Sequence, residues 1–162
     1  MSEQALNQIA QQVMDTLLVK GYRMATVESC TGGGIAKLMT DLAGSSAVFE
    51  CGFVTYSNES KHQMVGVNAT TLRSFGAVSE PVAGEMASGA FTRANADVTV
   101  SVTGIAGPGG GSDQKPVGMV CFGWASDGLV VTDTHHFEGD RQAVREQTTK
   151  YALQGVLNQL IK

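Results

Sequence analysis

Positive charge is in short supply in this chain: 11 Lys and Arg stand against 15 Asp and Glu, a formal net charge of −4. The basic residues form no block, so the surface lacks the clustered cations that neutralise nucleic-acid phosphates, and no nucleic-acid partner is expected. Cysteine is sparse too. Cys30, Cys51 and Cys121 are too few and too scattered for a disulfide framework or a metal site, and suit buried thiols in a reducing compartment. No apolar run is long enough to span a bilayer, and the polar N-terminus has no signal-like apolar stretch. A cytoplasmic protein without membrane contact is expected. No repeat or low-complexity segment occurs. Also absent are Gly-x-x-x-x-Gly-Lys-Ser/Thr and Gly-x-Gly-x-x-Gly, the two common phosphate-cradling signatures, and Gly-x-Ser-x-Gly, the serine-hydrolase elbow.

What remains is a 162-residue chain, 43% hydrophobic and with 20 glycines, enough for one well-buried domain over residues 1–162. Leu6, Ile9, Val13 and Leu17 recur at helical spacing and predict a first helix ending near Gly21. Strands are predicted at 23–27, 49–56 and 98–102. Helices are predicted at 35–42, behind Ser57 or Asn58, at 69–75 behind Asn68, and at 82–95 behind Ser79-Glu80-Pro81. Two late strands, 119–124 and 129–137, flank Ser126-Asp127-Gly128, a hairpin signature. A last helix opens at Arg141. Early alternation and a late hairpin predict an α/β fold: a three-layer α/β/α sandwich with a mixed, largely parallel central sheet and an antiparallel hairpin edge. The helix over 82–95 is rich in Ala and Gly. Its small face suits packing on the sheet or on a second subunit of a homo-oligomer.

In such sheets ligands bind beyond the strands' C-terminal ends, and polar groups follow each early strand. Glu28-Ser29-Cys30-Thr31-Gly32-Gly33-Gly34 turns from a strand into a helix, which sets a hydroxyl beside unpaired amides suited to an anion or an oxyanion. The plainer alternative is a tight turn with Ser29 and Thr31 as caps. Ser29 needs a base to act as a nucleophile. His62, His135 and His136 are poorly placed for it, the last two pointing to opposite faces of one strand. Lys61, near a helix start and partly desolvated, loses a proton more easily than a free lysine; a solvated surface charge is the plainer alternative. Tyr56 is placed to donate a hydrogen bond or relay a proton, or else is a half-buried aromatic. Cys30, facing away from Ser29 on the strand pleat, is the weaker nucleophile candidate. Thr103 to Gly111 form a second glycine-rich segment, and Arg141 with Arg145 make a pair of planar forks for a phosphate.

Taken together, Val27–Gly33, Val54–Lys61, Gly76–Glu80, Val102–Pro108, Lys115–Gly118 and Phe137–Arg141 resemble, in order and across nearly the whole chain, the CinA C-terminal domain family. That is the family of bacterial nicotinamide-nucleotide amidases. The resemblance implies hydrolysis of the carboxamide of nicotinamide mononucleotide, a small-molecule nucleotide, to nicotinate mononucleotide and ammonia, with no cofactor and no metal. It implies Ser29 as nucleophile, Lys61 as base and Tyr56 as an aid to proton transfer. Thr31, Gly32 and Gly33 would hold the oxyanion; Thr103, Gly104 and Gly107 would line the nucleotide pocket, and Arg141 would hold the phosphate. One departure is Gly109, where members of the family often carry aspartate, which bears on the loop's rigidity and on substrate preference. A non-catalytic pyridine-nucleotide-binding paralogue is the alternative; the complete Ser29, Tyr56 and Lys61 set favours the enzyme.

Overall fold

Residues 3–162 are described here, in a computed structural model. Among them the order is α1 (Glu3–Lys20), β1 (Met24–Glu28), α2 (Gly34–Thr40), a 3-10 turn at Ser45–Ala47, β2 (Phe49–Val54), α3 (Asn58–Val65), α4 (Ala69–Phe75) and α5 (Glu80–Arg93). Then follow β3 (Val98–Gly104), β4 (Met119–Ser126), β5 (Leu129–His136) and α6 (Arg141–Leu160). The strands lie in the order β2-β1-β3-β4-β5. β1 is parallel to both β2 and β3, while β4 is antiparallel to both its neighbours. Only β4 therefore runs against the common direction.

Alternation along the strands sorts the two faces. Met24, Val98, Val100, Val102, Phe122 and Trp124 pack with residues of α1, α2 and α6, among them Val13, Leu17, Ile35, Val144 and Leu153. Val27 faces the other way, into a smaller cluster with Val65, Val82, Met86 and Ala90 from α3 and α5. Each large side chain taken fully out of water, such as Leu17 or Phe122, contributes about 1.5–3 kcal/mol.

The small face of α5 is spent inside the chain. The Thr99 and Ser101 hydroxyls donate to Ala87 O and Ala83 O at 2.7 and 2.6 Å, which seats the helix almost on the sheet backbone. A Cβ at Gly89 would stand 1.8 Å from Val65 O, so α3 and α5 also touch backbone to backbone. The hairpin turns on Asp127 and Gly128, both at positive φ (48° and 78°), as a type I′ turn requires.

Every strand ends one or two residues from its expected end, and two of these shifts bear on the site. β3 runs on to Gly104, because β4 offers pairing partners up to Val120. β2 stops at Val54. The Thr55 amide still donates to Glu28 O at 2.8 Å, but the Thr55 carbonyl turns away to a lysine.

Candidate active site

The pleat decides which side chain of the first turn enters the cleft. Val27 faces α3 and α5, so Ser29 does as well. Glu28 and Cys30 face α2 and the larger core. The Ser29 amide donates to Val102 O at 3.0 Å, extending the β1–β3 pairing by one residue and fixing where the hydroxyl starts.

α3 brings the second group. Ser57 caps it and forms a reciprocal capping box with Ser60, worth about 1 kcal/mol. One turn on, Lys61 is 1% exposed. Its Nζ lies 2.9 Å from Ser29 Oγ and 2.8 Å from Thr55 O, with Tyr56 O at 3.4 Å. Burial pushes the Lys61 amine down to about 8. When neutral it has two hydrogens and one lone pair. The carbonyls can only accept, so the hydrogens go to them and the lone pair is left for the Ser29 hydroxyl. In the neutral amine the arrangement therefore turns the lone pair toward the Ser29 hydroxyl.

Cys30 is no competitor. It is buried in the core cluster, and burial pushes its thiol up to about 12, so little thiolate exists near neutral pH. The histidines lie elsewhere: His62 Nδ1 is 2.8 Å from Val67 O, and His135 stacks against Phe137 and Tyr151.

A cleft of about 270 Å³ opens over the pair, lined by Ser29, Cys30, Tyr56, Lys61, Val78, Thr103, Gly104–Gly107, Gly109, Gly110 and Arg141 among others. Arg141 sits at its rim, donating to Gly107 O at 2.8 Å and to the Tyr56 hydroxyl at 3.4 Å. Ser29, Lys61, Tyr56, Thr103, Gly104, Gly107 and Arg141 thus meet at one place, from four parts of the chain.

Three expected residues do not join them. The Thr31 hydroxyl donates to the Glu28 carboxylate at 2.5 Å, which turns it behind the strand, and a Cβ at Gly32 would face Arg145 rather than the cleft. The Gly32 amide is occupied as well, donating to Ser29 O at 3.0 Å. Gly33, at φ 102°, is the N-cap of α2, and its missing Cβ would meet Val54. Thr31, Gly32 and Gly33 therefore shape the turn instead of lining the pocket.

Two other expectations shift in kind. Tyr56 is 61% exposed; its phenol meets Arg141, and only its main-chain oxygen approaches Lys61. Thr103 lines the cleft, but its hydroxyl donates to Ala77 O at 2.9 Å and so anchors the segment before α5.

Two residues gained roles that the sequence reading had not given them. Arg145 donates to Cys30 O and Thr31 O, each at 3.1 Å, holding the turn from behind. Glu28, fully buried, accepts from the amides of Ile35 and Ala36 at 2.9 and 3.0 Å. Arg145 bridges more than a hundred residues of sequence, which no local pattern reveals. Glu28 carried one signal: the lone charge in its strand, at the inner end. Among the described residues no three His, Cys, Asp or Glu side chains gather into a metal-binding group, and no helix is long and apolar enough to cross a membrane.

Comparison with known proteins places this geometry in a family. The CinA C-terminal domain profile matches residues 6–160. A protein of Escherichia coli K12 named nicotinamide-nucleotide amidohydrolase PncC is 54% identical over 163 aligned positions, covering all of this chain and 99% of that one. A protein of the same name from Enterobacter agglomerans is 53% identical with the same coverage. Among solved structures, a competence/damage inducible protein CihA from Agrobacterium tumefaciens superposes with a TM-score of 0.93 at 42% identity, over 98% of this chain and 96% of its own. The chain belongs to the CinA C-terminal domain family.

Proposed function

We propose that this chain is an amidohydrolase that cleaves the carboxamide of nicotinamide mononucleotide, with Ser29 as nucleophile and Lys61 as base. The relatives' names support the amide hydrolysis and the nucleotide. The observation that carries the residue roles is the 2.9 Å approach of Lys61 Nζ to Ser29 Oγ, with two carbonyls on the amine's other side.

The Ser29 proton passes to Lys61 as Oγ bonds to the amide carbon. Collapse of the tetrahedral adduct breaks the C–N bond, and the Lys61 ammonium returns the proton to the departing nitrogen, releasing ammonia. A water molecule, deprotonated by Lys61, then attacks the acyl ester, giving the carboxylate and free Ser29. Tyr56 and Arg141 act at the rim, where the guanidinium's charge suits the substrate phosphate.

Ammonia release from nicotinamide mononucleotide tests this. The wild type is expected to turn over. Ser29→Ala and Lys61→Met are expected to lose about a thousandfold or more in kcat while remaining folded. Because the base must be neutral, kcat/KM climbs about tenfold per pH unit up to about 8, set by Lys61, and levels off above it. A Ser29→Ala enzyme that keeps most of its activity overturns the assignment.

A further inference from the structure

Glu28 is a fully buried charged residue next to the nucleophile, and the mechanism above does not use it. The ion pairs seen among the described residues, Arg23–Glu50 and Lys37–Asp41, do not involve it. Among the described residues its carboxylate is met by neutral donors: the Thr31 hydroxyl at 2.5 Å and the Ile35 and Ala36 amides at 2.9 and 3.0 Å. A buried carboxylate without a counter-charge is an expensive way to stabilise a fold.

Its placement explains what it does. α2 has no cap of its own, since Gly33 occupies the N-cap with φ 102° and no side chain. The sharp strand-to-helix turn needs that glycine, which leaves the first helical amides short of an acceptor. Glu28 supplies one from the strand side of the turn. The end of β1 is thereby tied to the start of α2, and Ser29 to Gly33 are closed into a short loop between the two tied ends. Ser29 is the first residue of that loop, held on its other side by Val102 O.

We infer that Glu28 is a positioning residue for the nucleophile: its carboxylate, through Thr31 and the first amides of α2, holds the turn so that the Ser29 hydroxyl stays within proton-sharing distance of Lys61. This rests on the proposed Ser29–Lys61 chemistry. The role is a matter of alignment, so its loss falls on kcat and not on substrate binding. The charge has a second consequence at the same turn. Glu28 adds to the burial that keeps the Cys30 thiol protonated, leaving the hydroxyl as the reactive group.

The test is Glu28→Gln, which keeps size but puts an amide donor among three donors, read in two assays. In the first, kcat for nicotinamide mononucleotide is expected to fall about 100-fold, with KM within about threefold and the rising pH limb still near 8. In the second, intact-mass kinetics follow covalent labelling of Ser29 by a small serine-directed phosphonofluoridate, which needs no knowledge of the natural substrate. Labelling of Glu28→Gln is expected to slow by a similar factor. Thr31→Val, which removes one of the three donors and leaves the carboxylate, is expected to show a weaker version of the same split, with Thr31→Ser restoring the wild-type rate.

A folded Glu28→Gln protein with wild-type kcat and labelling overturns the inference. So does a loss that merely tracks the unfolded fraction and disappears on cooling. If Glu28→Gln does not fold, the Thr31 pair decides: equal rates for Val and Ser overturn it. If the wild type is labelled at Ser29 yet leaves nicotinamide mononucleotide intact, the proposed substrate fails while the slowed labelling of Glu28→Gln still supports the positioning role.

Discussion

Two glycine-rich segments meet over the cleft, and they are held in opposite ways. The Glu28–Gly34 turn is gripped from inside: a buried carboxylate takes three donors, Arg145 takes two carbonyls, and β3 takes the Ser29 amide. The Gly104–Gly118 loop is tied at its base and rim, and within itself by a turn in which Ser112 and Lys115 bond each other. Ile105 and Gly118 exchange main-chain bonds with their neighbours, Arg141 holds Gly107 O, and Lys115 reaches Phe75 O at 2.5 Å. Between these ties, Pro108 to Gln114 are exposed. The same residue type thus serves two ends. In the first segment glycine permits one sharp geometry that sets the Ser29 hydroxyl beside Lys61; in the second it forms an exposed wall of the cleft.

The largest effect expected from this contrast is the energetic cost of the rigid side. Lys61 lies at about 8 in the fold against 10.5 when free, a difference of about 3 kcal/mol. Between those values the unfolded chain binds a proton at Lys61 that the folded chain does not, so the Lys61 contribution to stability rises with pH from 8 to 10.5, opposed above 9 by the buried Cys30 thiol, which stays protonated only in the fold. Denaturant unfolding across this range should show the wild type gaining about 3 kcal/mol relative to Lys61→Met, the thiol contribution being common to both. A parallel pair of curves would mean that the amine is not strained by burial, and the rigid site would lose its defining feature.

Next in size is the glycine on which the turn depends. Gly33 has φ 102° and ψ 3°, a backbone that L side chains rarely adopt. Gly33→Ala should destabilise by about 1–2 kcal/mol and lower kcat with it, since relief of the strain moves Ser29 off Lys61. Wild-type kcat with a normal melting temperature would erase the distinction between the two segments.

Much of the scaffold for this contrast could be read from residue patterns. The hairpin followed from Ser126-Asp127-Gly128, the start of α3 from Ser57-Asn58, and the cap of α5 from Ser79 and Pro81, because each depends on chemistry within four residues. The convergence of Ser29, Lys61, Thr103 and Arg141 followed from strand order and the rule about C-terminal ends. What escaped were facts of direction. Thr31 was expected in the pocket, and only the buried Glu28 carboxylate, drawing its hydroxyl backward, shows why it is not there. Likewise the Tyr56 phenol was expected at the proton, but it lies at the cleft's rim beside Arg141, and only the Tyr56 main-chain oxygen approaches Lys61. A turn's composition shows that amides are available; it does not show which are already bonded, as the Gly32 amide is to Ser29 O.

On the loose side of the cleft the expected effects concern binding. Arg141→Ala removes both the rim charge and the tie to Gly107 O. KM for the nucleotide should rise about tenfold, or ~1.4 kcal/mol, with kcat little changed, and the phosphate-free riboside should hardly notice. Equal changes for both substrates would assign Arg141 to loop anchoring alone and shift the phosphate elsewhere.

The smallest effect separates the two segments most sharply. Gly109 sits in the exposed stretch, and an added Cβ there meets nothing within 4 Å; its φ lies outside the left-handed range, so alanine fits the existing backbone. Gly109→Ala should leave kcat within about twofold and stabilise the fold by about 0.5 kcal/mol, chiefly by restricting the unfolded chain. Any change should appear in KM, because a stiffer wall adapts less to the nucleotide. The Gly33→Ala and Gly109→Ala enzymes, compared side by side in melting temperature, kcat and KM, therefore carry opposite signs in stability and fall on different kinetic constants. Should Gly109→Ala instead lower kcat as Gly33→Ala does, the second loop too would be holding a reacting group in register.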